Sequence, residues 1–373
     1  MYQYCIIHIN LSFVTKLVKH KMTIGNNVGI FLWNIAEQKE GFKFGKPWRQ
    51  SKQSLGLVVP ILREKDVKRK YKMIEETKNI TIEDTGSIDK VRIINKGDER
   101  VFIRSGVILT SDASQERVTV SGVIIQPNSE QEVEVKCVHA SKGIRSGTKM
   151  KATNYAPPVV LSALYARDER GNVNQGRVWD SVQKYSMKSR NACFTSRMGS
   201  GGPIIGARMR DRTSRRIGAI KSLDAMEQPT IAESDDLIST INEVETSKKN
   251  IEDAIKEMPV MENQVGAIIF DSVGIVGFEV FDSEKSWKSL HKKVLAKYSD
   301  VLQKKQEEPL FQLNKDIIPE KIRDFIEKIM ESNEKEIYSS KESTTKIIEG
   351  IKVVGEYTEI NGEIIHVIAF KRQ

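Results

Sequence analysis

Two features that this chain of 373 residues lacks limit what it can be: long apolar runs and paired cysteines. No apolar stretch approaches the ~20 residues that a membrane-spanning helix requires. The three cysteines, Cys5, Cys137 and Cys193, show no repeated spacing and no CxxC pair. This pattern argues against a disulfide framework and against a structural zinc site, and it favours a reducing compartment. We therefore expect a cytoplasmic protein with no membrane segment.

Motifs that identify common reactions are lacking as well. Residues 199–202 are rich in glycine but lack the GxxxxGK(S/T) spacing of a phosphate-binding loop. The sequence also has no HExxH pair and no second cluster of cysteine and histidine. It therefore predicts neither a metal site nor a cofactor and assigns no catalytic residue, and it leaves open whether the protein is an enzyme.

The start of the chain has two interpretations. The apolar segment at residues 4–14 contains His8 and Asn10 and lacks both a basic start and a small-residue cleavage site. It is therefore a poor signal peptide. Translation begins either at Met1 or at Met22, and the second start would leave residues 1–21 untranslated.

Positive charge is concentrated in the first part of the chain. Residues 1–220 contain 38 Lys and Arg against 20 Asp and Glu, whereas residues 221–373 contain 21 against 30. The net charge of +9 hides this division. It predicts either a polyanion near the first part or two parts that face each other.

What the sequence does contain is a strong β pattern, densest at residues 101–140. Apolar and polar side chains alternate with a period of two through residues 132–139, which places one set on each face of a strand. Near the end of the chain, Asn361-Gly362 lies between two apolar runs, as in a tight hairpin. We expect an α+β fold whose β-rich N-terminal part forms a meander or sandwich-like sheet, followed by a C-terminal part of mixed helices and hairpins.

Shifts in composition predict four parts of the chain. Residues 1–54 would be an N-terminal arm, and residues 55–192 a β-rich part with one amphipathic helix. Residues 193–222, rich in glycine and arginine, would be a linker or loop. Residues 223–373 would form an α/β part that packs on the first.

Several segments together are similar to those of a known family. The residues that carry the similarity are spread over about 55–373. They are the Gly106 turn, Gln115 with Arg117, Cys137-Val138, residues 175–182 (QGRVWDSV), residues 265–281 (VGAIIFDSVGIVGFEVF), Trp287, Leu290, Tyr298 and His366. In order and spacing they resemble the ARG and Rhodanese-Phosphatase-superfamily-associated domain, a bacterial and archaeal family of unknown function. The resemblance implies an accessory role, in stress or defence operons, and no established reaction.

The chain departs from the family pattern directly after Cys137-Val138. His139 stands where the family tends to have an acidic residue, and residues 141–147 (SKGIRSG) follow without the family's tryptophan. If that acid matters for chemistry, its replacement alters the site.

The candidate ligand-binding residues are Gln115, Arg117, His139, Gln175 and Arg177. Gln115 and Arg117 share one strand face, where the guanidinium would clamp a carboxylate or phosphate with two hydrogen bonds. The structural alternative is an ion pair between Arg117 and Glu132 or Glu134 on a neighbouring strand.

The other candidates also have structural alternatives. Gln175 stands at a predicted helix start, where it would cap the helix or bind a ligand. Cys137 and His139 are compatible with a thiol activated by imidazole, but a buried structural cysteine is far commoner. His366 alternates with apolar neighbours and is interpreted as a core or edge histidine, with Glu356 on the opposite strand.

A flexible arginine-rich segment is the candidate for binding a polyanion, because arginines neutralise backbone phosphates. Its arginines are Arg208, Arg210, Arg212, Arg215 and Arg216. A solvated loop is the alternative interpretation of the same residues.

The leading hypothesis is a cytoplasmic binding or interaction module whose partner is another protein. The alternative is an enzyme or binding protein that acts on a phosphorylated or nucleic-acid ligand through the basic region at residues 142–216. Convergence of the candidate residues in a deep pocket would favour an enzyme, and an exposed apolar helix face would favour a partner site.

Overall fold

The computed structural model describes residues 23–49, 56–65, 67–139, 142–198, 237–238, 240–241, 258, 260–302 and 317–372. For residues 188–198 it describes the backbone alone. The five arginines proposed for a polyanion and residues 1–21 lie outside the described residues. None of the described helices combines the length and the apolar character that crossing a membrane requires.

Six antiparallel strands close into a barrel in the first half of the chain. They are β4 (Ile80–Asp84), β5 (Lys90–Asn95), β7 (Val107–Thr110), β8 (Arg117–Thr119), β10 (Ser129–Cys137) and β11 (Lys149–Tyr155). Around the barrel the order is β10-β5-β4-β11-β7-β8. The long β10 pairs with β5 through its first residues and with β8 through its last three. Closure leaves no edge strand in this part of the molecule.

A small sheet lies beside the barrel. Its strands are β3 (Lys72–Met73), β6 (Val101–Ile103) and β9 (Val123–Ile125). The central β6 runs parallel to β3 and antiparallel to β9. Every residue of β6 and β9 is buried, because β9 contacts the barrel on one side and the large sheet on the other.

The large sheet has eight strands and draws them from both ends of the described chain. They are β1 (Phe42–Phe44), β2 (Leu57–Arg63), β12 (Gln264–Phe270), β13 (Ile275–Phe281), β14 (Asn333–Ser339), β15 (Ser343–Glu349), β16 (Val353–Ile360) and β17 (Glu363–Lys371). Their order is β1-β2-β12-β13-β17-β16-β15-β14. The central strands are buried almost throughout, which is typical of a sheet that is covered on both faces.

Helices and the barrel cover the two faces of the large sheet. The helices α1 (Asn26–Ala36) and α6 (Ile318–Met330) pack on one face. On the barrel side lie α2 (Pro158–Tyr165), α3 (Gln175–Met198), α4 (Glu284–Ala296) and the short α5 (Ser299–Leu302). The alternation of β17 divides its side chains between the two cores, with Val367 and Ala369 in one and Ile368 and Phe370 in the other.

The α+β, β-rich class expected from the sequence is confirmed, but the strands of residues 101–140 do not form a simple meander. They are divided between the small sheet and the barrel: β6 pairs with β9, and β7 pairs with β8. The physical reason is that β10 satisfies two different neighbours along its length and so closes the barrel. A period of two fixes which side chains face inward but not which strands pair.

Local signals in the C-terminal part match the structure. Asn361 and Gly362 both have positive φ, and they join β16 to β17 as a tight turn. Ser283 is the N-cap of α4, where its side chain accepts a hydrogen bond from the Ser286 N–H.

Gly277 on β13 is required by the packing of Tyr298, the residue that precedes α5, and its substitution is a direct test of the layer arrangement. A Cβ at Gly277 would overlap the phenol ring of Tyr298. We expect Gly277→Ala to lower the free energy of unfolding by about 1–3 kcal/mol, because a rigid buried ring must move. Gly274→Ala in the same hairpin is the matched control, since its Cβ meets no atom within 4 Å. Equal urea midpoints for the two variants would contradict this packing.

Candidate functional site

Two of the residues singled out in the sequence, Gln115 and Arg117, meet at one end of the barrel. The Arg117 side chain is fully buried, and its Nη1 donates a hydrogen bond to Gln115 Oε1. Its nearest carboxylate is Asp84 on β4, with Nη2 3.6 Å from Oδ2. Asp84 is itself held by the Gly86 N–H and by the Ser114 hydroxyl. The expected ion pair of Arg117 is therefore made inside the barrel.

The alternative prediction, an ion pair between Arg117 and a glutamate of the neighbouring strand, is wrong, because the nearest carboxylate is that of Asp84. Glu132 is paired with Lys90 at 2.9 Å, and Glu134 lies 3.7 Å from Lys136. The reason is the register, because Arg117 lies opposite Cys137 and both glutamates occur earlier in β10. Sequence spacing alone does not define that register.

Gln175 has a structural role at the same end of the barrel. Its Oε1 accepts from the Cys137 N–H at 3.0 Å, and its Nε2 donates to the Cys137 carbonyl at 2.7 Å. The side chain thus continues the strand pairing of β10 and fixes the start of α3 on the barrel. Arg177, two residues further along the helix, is exposed and does not join the other candidates.

His139 lies close to this cluster but does not activate Cys137. The thiol donates to the His139 carbonyl at 3.2 Å, while the imidazole Nδ1 lies 3.8 Å from Glu116. Burial raises the pKa of the Cys137 thiol, and the neighbouring Arg117 only partly offsets this effect. A protonated thiol is a weak nucleophile and a poor metal ligand. In the described part of the chain, no three His, Cys, Asp or Glu side chains are grouped to hold a metal.

A second polar cluster is buried where the small sheet, α2 and α5 meet the large sheet. We call it the interior centre, and it consists of Arg104, Ser105, Tyr165, Arg167, Glu279, Lys297, Tyr298, Glu356 and His366. These residues come from the turn after β6, the end of α2, the loop before α5 and three strands of the large sheet. None of them was among the candidate site residues of the sequence. His366 was interpreted as a core or edge histidine, with Glu356 on the opposite strand.

Glu279 is the acceptor at the heart of the interior centre. Its carboxylate accepts hydrogen bonds from Arg104 Nη1, from Lys297 Nζ at 2.6 Å and from His366 Nε2 at 3.1 Å. All four side chains are at most 2% exposed. Burial lowers the pKa of both Lys297 and His366 well below their ordinary values, and the charge of Arg104 adds to this effect. His366 is therefore neutral at physiological pH.

Glu356 is the second carboxyl group of the interior centre. Burial raises its pKa to about 8, against the opposing effects of Ser105, the Gly122 N–H, Arg167 and Arg104. The Gly122 N–H donates to its Oε1 at 3.1 Å, and Oε2 has no hydrogen-bond partner. At neutral pH this carboxyl group is mostly protonated.

Arg167 approaches Glu356 from the loop that follows α2. Its Nη1 donates to the Gly171 carbonyl at 2.8 Å, and only 4% of its side chain is exposed. At the end of α2, the Tyr165 hydroxyl is hydrogen-bonded at 2.7 Å to the hydroxyl of Ser105, which lies in the turn after β6. The charge of Arg167 lowers the pKa of both Glu356 and Tyr165 against the rise caused by burial.

Of the sixteen buried side-chain polar atoms without a hydrogen-bond partner among the described residues, six belong to the interior centre. They are Arg104 Nε, Arg167 Nε, Arg167 Nη2, Tyr298 Oη, Glu356 Oε2 and His366 Nδ1. Each such atom typically costs about 1–3 kcal/mol, and native proteins satisfy nearly all of them. A group of them in one place is a feature of binding and catalytic sites, where a ligand completes the hydrogen bonding.

The sequence does contain a signal for this centre. Glu279 in IVGFEVF, Glu356 in VVGEYTEI and His366 in EIIHVIAF are single ionisable residues inside apolar strands. Such residues are almost never fully buried unless they are paired. The sequence pattern placed Glu356 on the strand opposite His366. In the structure His366 is hydrogen-bonded to Glu279 and lies opposite Thr358, whereas Glu356 lies opposite Ile368.

Comparison with known proteins gives one result. The model of a family described as the ARG and Rhodanese-Phosphatase-superfamily-associated Protein domain matches residues 41–370. The match begins earlier than the resemblance seen in the sequence, which started near residue 55, and it spans both polar clusters. No curated protein and no solved structure matches the chain.

Gln175 provides a test of the barrel-end geometry. Gln175→Ala would leave the backbone N–H and carbonyl of Cys137 unpaired, so we expect a loss of about 1–3 kcal/mol in the free energy of unfolding. Hydrogen exchange at the Cys137 amide should accelerate in the same variant. Arg177→Ala is the control, because an exposed side chain changes stability by less than about 0.5 kcal/mol. Unchanged exchange at Cys137 would rule out the role given to Gln175.

Glu356 provides a test through the pH dependence of stability. Its folded pKa of about 8 exceeds its ordinary value of 4.5, so the folded state retains a proton that the unfolded state releases. Its contribution to stability therefore falls as the pH rises from about 4.5 to 8, by up to about 1.4 kcal/mol per pH unit. Glu356→Gln keeps an acceptor for Gly122 and cannot titrate, so its unfolding free energy should be flatter than that of the wild type in this window.

Asp282→Asn is the matched control for the Glu356 experiment. Burial raises the pKa of Asp282 to about 6 from its ordinary 3.8, so its contribution to stability changes with pH over a lower range than that of Glu356. We expect this variant to differ from the wild type in slope only below about pH 6. Urea unfolding at a series of pH values measures both. Parallel curves for the wild type and Glu356→Gln between pH 6 and 8 would contradict the assignment.

Proposed function

The chain belongs to the ARG and Rhodanese-Phosphatase-superfamily-associated Protein domain family, a family of unknown function, and we propose that it is a binding module that holds a small ligand in the interior centre. The ligand would lie between the barrel side of the molecule and the large sheet. It would bridge Arg104 and Arg167 on one side to Glu356 and His366 on the other.

The observation that supports this proposal is the concentration of unpartnered polar atoms in the interior centre. An unpartnered buried polar atom typically costs about 1–3 kcal/mol, and six of them lie together in the interior centre. A ligand that forms hydrogen bonds with several of them recovers much of that free energy. The same atoms also come from separate elements, so a ligand would hold those elements together.

Binding is favoured over catalysis because the Glu279 carboxylate is already occupied and the Cys137 thiol lies elsewhere. Glu279 already accepts from three partners, and Cys137, the only cysteine whose side chain is described, lies at the barrel end. One observation favours the alternative, an enzyme acting on a phosphorylated or nucleic-acid ligand: Glu356 stays protonated at neutral pH, as a general acid must. The arginines of residues 208–216 that a nucleic acid would contact lie outside the described residues.

The wider role proposed for the module is accessory. The family description names an association with ARG and Rhodanese-Phosphatase-superfamily proteins, which supports a protein partner. The proposed accessory role is in stress or defence systems. A cytoplasmic location is proposed from the unpaired cysteines of the sequence.

Three small probes test the proposal: inorganic phosphate, acetate and the neutral acetamide. We expect at least one of them to raise the thermal midpoint of the full chain, because a ligand at 100 times its Kd stabilises the folded state by about 2.7 kcal/mol. Tyr298→Phe removes one unpartnered hydroxyl of the interior centre and should weaken binding of that probe.

The matched control is Tyr338→Phe, which removes a hydroxyl bonded to Gln131 at 3.1 Å, outside the interior centre. Its response to the probe should equal that of the wild type. The proposal fails if no probe stabilises the protein, or if Tyr298→Phe and Tyr338→Phe respond alike.

A further inference from the structure

We infer that the ligand of the interior centre is a phosphate group, bound by the unpartnered edge of the Arg167 guanidinium together with Arg104. This inference rests on the proposed function and names the chemical class of the ligand. It is carried by three features of the described residues: the free edge of a buried arginine, the balance of charge, and the tautomer of a buried histidine.

Arg167 presents an open two-point donor. Nη1 is occupied by the Gly171 carbonyl, whereas Nε and Nη2 have no hydrogen-bond partner. These two nitrogens lie on one edge of the planar guanidinium and donate in parallel, the geometry that binds two oxygens of a phosphate or carboxylate. Because 96% of the side chain is removed from solvent, water does not substitute freely for such a ligand.

The charges around this edge favour an anion. Glu279 contacts two basic groups, Arg104 and Lys297, and because burial lowers the pKa of Lys297 the fixed positive charge beside this carboxylate is that of Arg104. Arg167 adds a further positive charge, and its ion-pair partner Glu134 is 3.7 Å away with 38% of its side chain exposed. Glu356 is mostly protonated at neutral pH and contributes little compensation. A buried excess of positive charge is costly, and a bound anion removes that cost.

Additional donors surround the same charges. Arg104 Nε and Tyr298 Oη have no hydrogen-bond partner, and a protonated Glu356 can donate from its free Oε2. An oxygen-rich anion accepts several hydrogen bonds at once. These donors therefore match an oxyanion better than they match a neutral ligand with one carbonyl.

The unpartnered nitrogen of His366 would make the site selective for phosphate over other oxyanions. Its Nε2 must donate to the Glu279 carboxylate, and burial lowers its pKa so that the ring is neutral. The other nitrogen, Nδ1, is then an acceptor, and it has no hydrogen-bond partner. A phosphate group that retains a proton can donate to such an acceptor. Sulfate and acetate, which carry no proton at neutral pH, cannot.

One side of the interior centre is close to solvent. The guanidinium carbon of Arg104 lies 3.9 Å from the centroid of the Tyr155 ring, and the Tyr155 hydroxyl bonds Glu75. Glu75 in turn lies 3.8 Å from Lys293 Nζ, whose side chain is 38% exposed. Tyr155 and Glu75 thus lie between Arg104 and the partly exposed Lys293.

Isothermal titration of the full chain with inorganic phosphate, sulfate, acetate and acetamide at matched ionic strength tests the inference. We expect phosphate to bind at least about tenfold more tightly than sulfate or acetate, and acetamide not to bind. Methyl phosphate distinguishes the source of the group. Tight binding of methyl phosphate assigns the site to a phosphomonoester, and tight binding of inorganic phosphate alone assigns it to the free ion.

Arg167→Gln and Arg177→Gln form a matched pair, since each removes one positive charge and Arg177 is exposed. We expect phosphate affinity to fall at least about tenfold in Arg167→Gln and to stay unchanged in Arg177→Gln. Arg167→Lys keeps the charge but not the two-point donor, so it should lose affinity as well. This second variant decides the question if the glutamine variant is poorly folded.

The outcomes separate this inference from the proposed function. Sulfate bound as tightly as phosphate, or equal phosphate affinity in the Arg167 and Arg177 variants, overturns the inference. If acetamide binds in a manner that depends on Tyr298 while phosphate does not bind, the interior centre is a ligand site of another class and the proposed function stands. If no probe binds, both fail.

Discussion

The carboxylate of Glu279 is the contact on which the assembly of this molecule depends. It lies on a central strand of the large sheet and accepts from Arg104, Lys297 and His366. A buried carboxylate is tolerated only with such partners, and loss of one partner from a buried pair typically costs about 3–5 kcal/mol. Because the partners come from the turn after β6, the segment after α4 and β17, they meet only when the small sheet and α4 are correctly placed on the large sheet.

The barrel holds Arg104 in position through its own strand β8. The Arg104 carbonyl accepts from the Thr119 hydroxyl at 2.7 Å, and the Gly106 N–H donates to the Thr119 carbonyl at 2.8 Å. Gly106 has a φ of +76°, which side chains rarely adopt, so the turn that presents Arg104 depends on glycine. The same short strand carries Arg117 at its other end. Thus β8 links the barrel end to the interior centre.

The two polar clusters contribute differently to the molecule. At the barrel end, Gln175 satisfies the backbone of Cys137, and the Asp84 charge faces Arg117. In the interior centre, several donors and acceptors stay unpartnered around Arg104 and Arg167. Buried polar networks rigidify a protein when they are fully satisfied, and partly satisfied ones are costly. Arg117 Nε and Nη2 also lack a hydrogen-bond partner at the barrel end, so the interior centre differs in the larger number of such atoms, and it is there that we propose a ligand.

The sequence by itself determined the features that depend on neighbouring residues. These are the alternation of β10, the Asn361-Gly362 turn and the α+β class, since local hydrogen bonds and a period of two act over a few residues. It also placed Gln115 and Arg117 together correctly. The partners of these residues were decided only by the tertiary structure. Asp84 faces Arg117, and Glu279 meets His366, because closure of the barrel and the order of the large sheet bring together strands from distant parts of the chain. Strand pairing at such separations is set by the packing of the whole molecule, which no local pattern encodes.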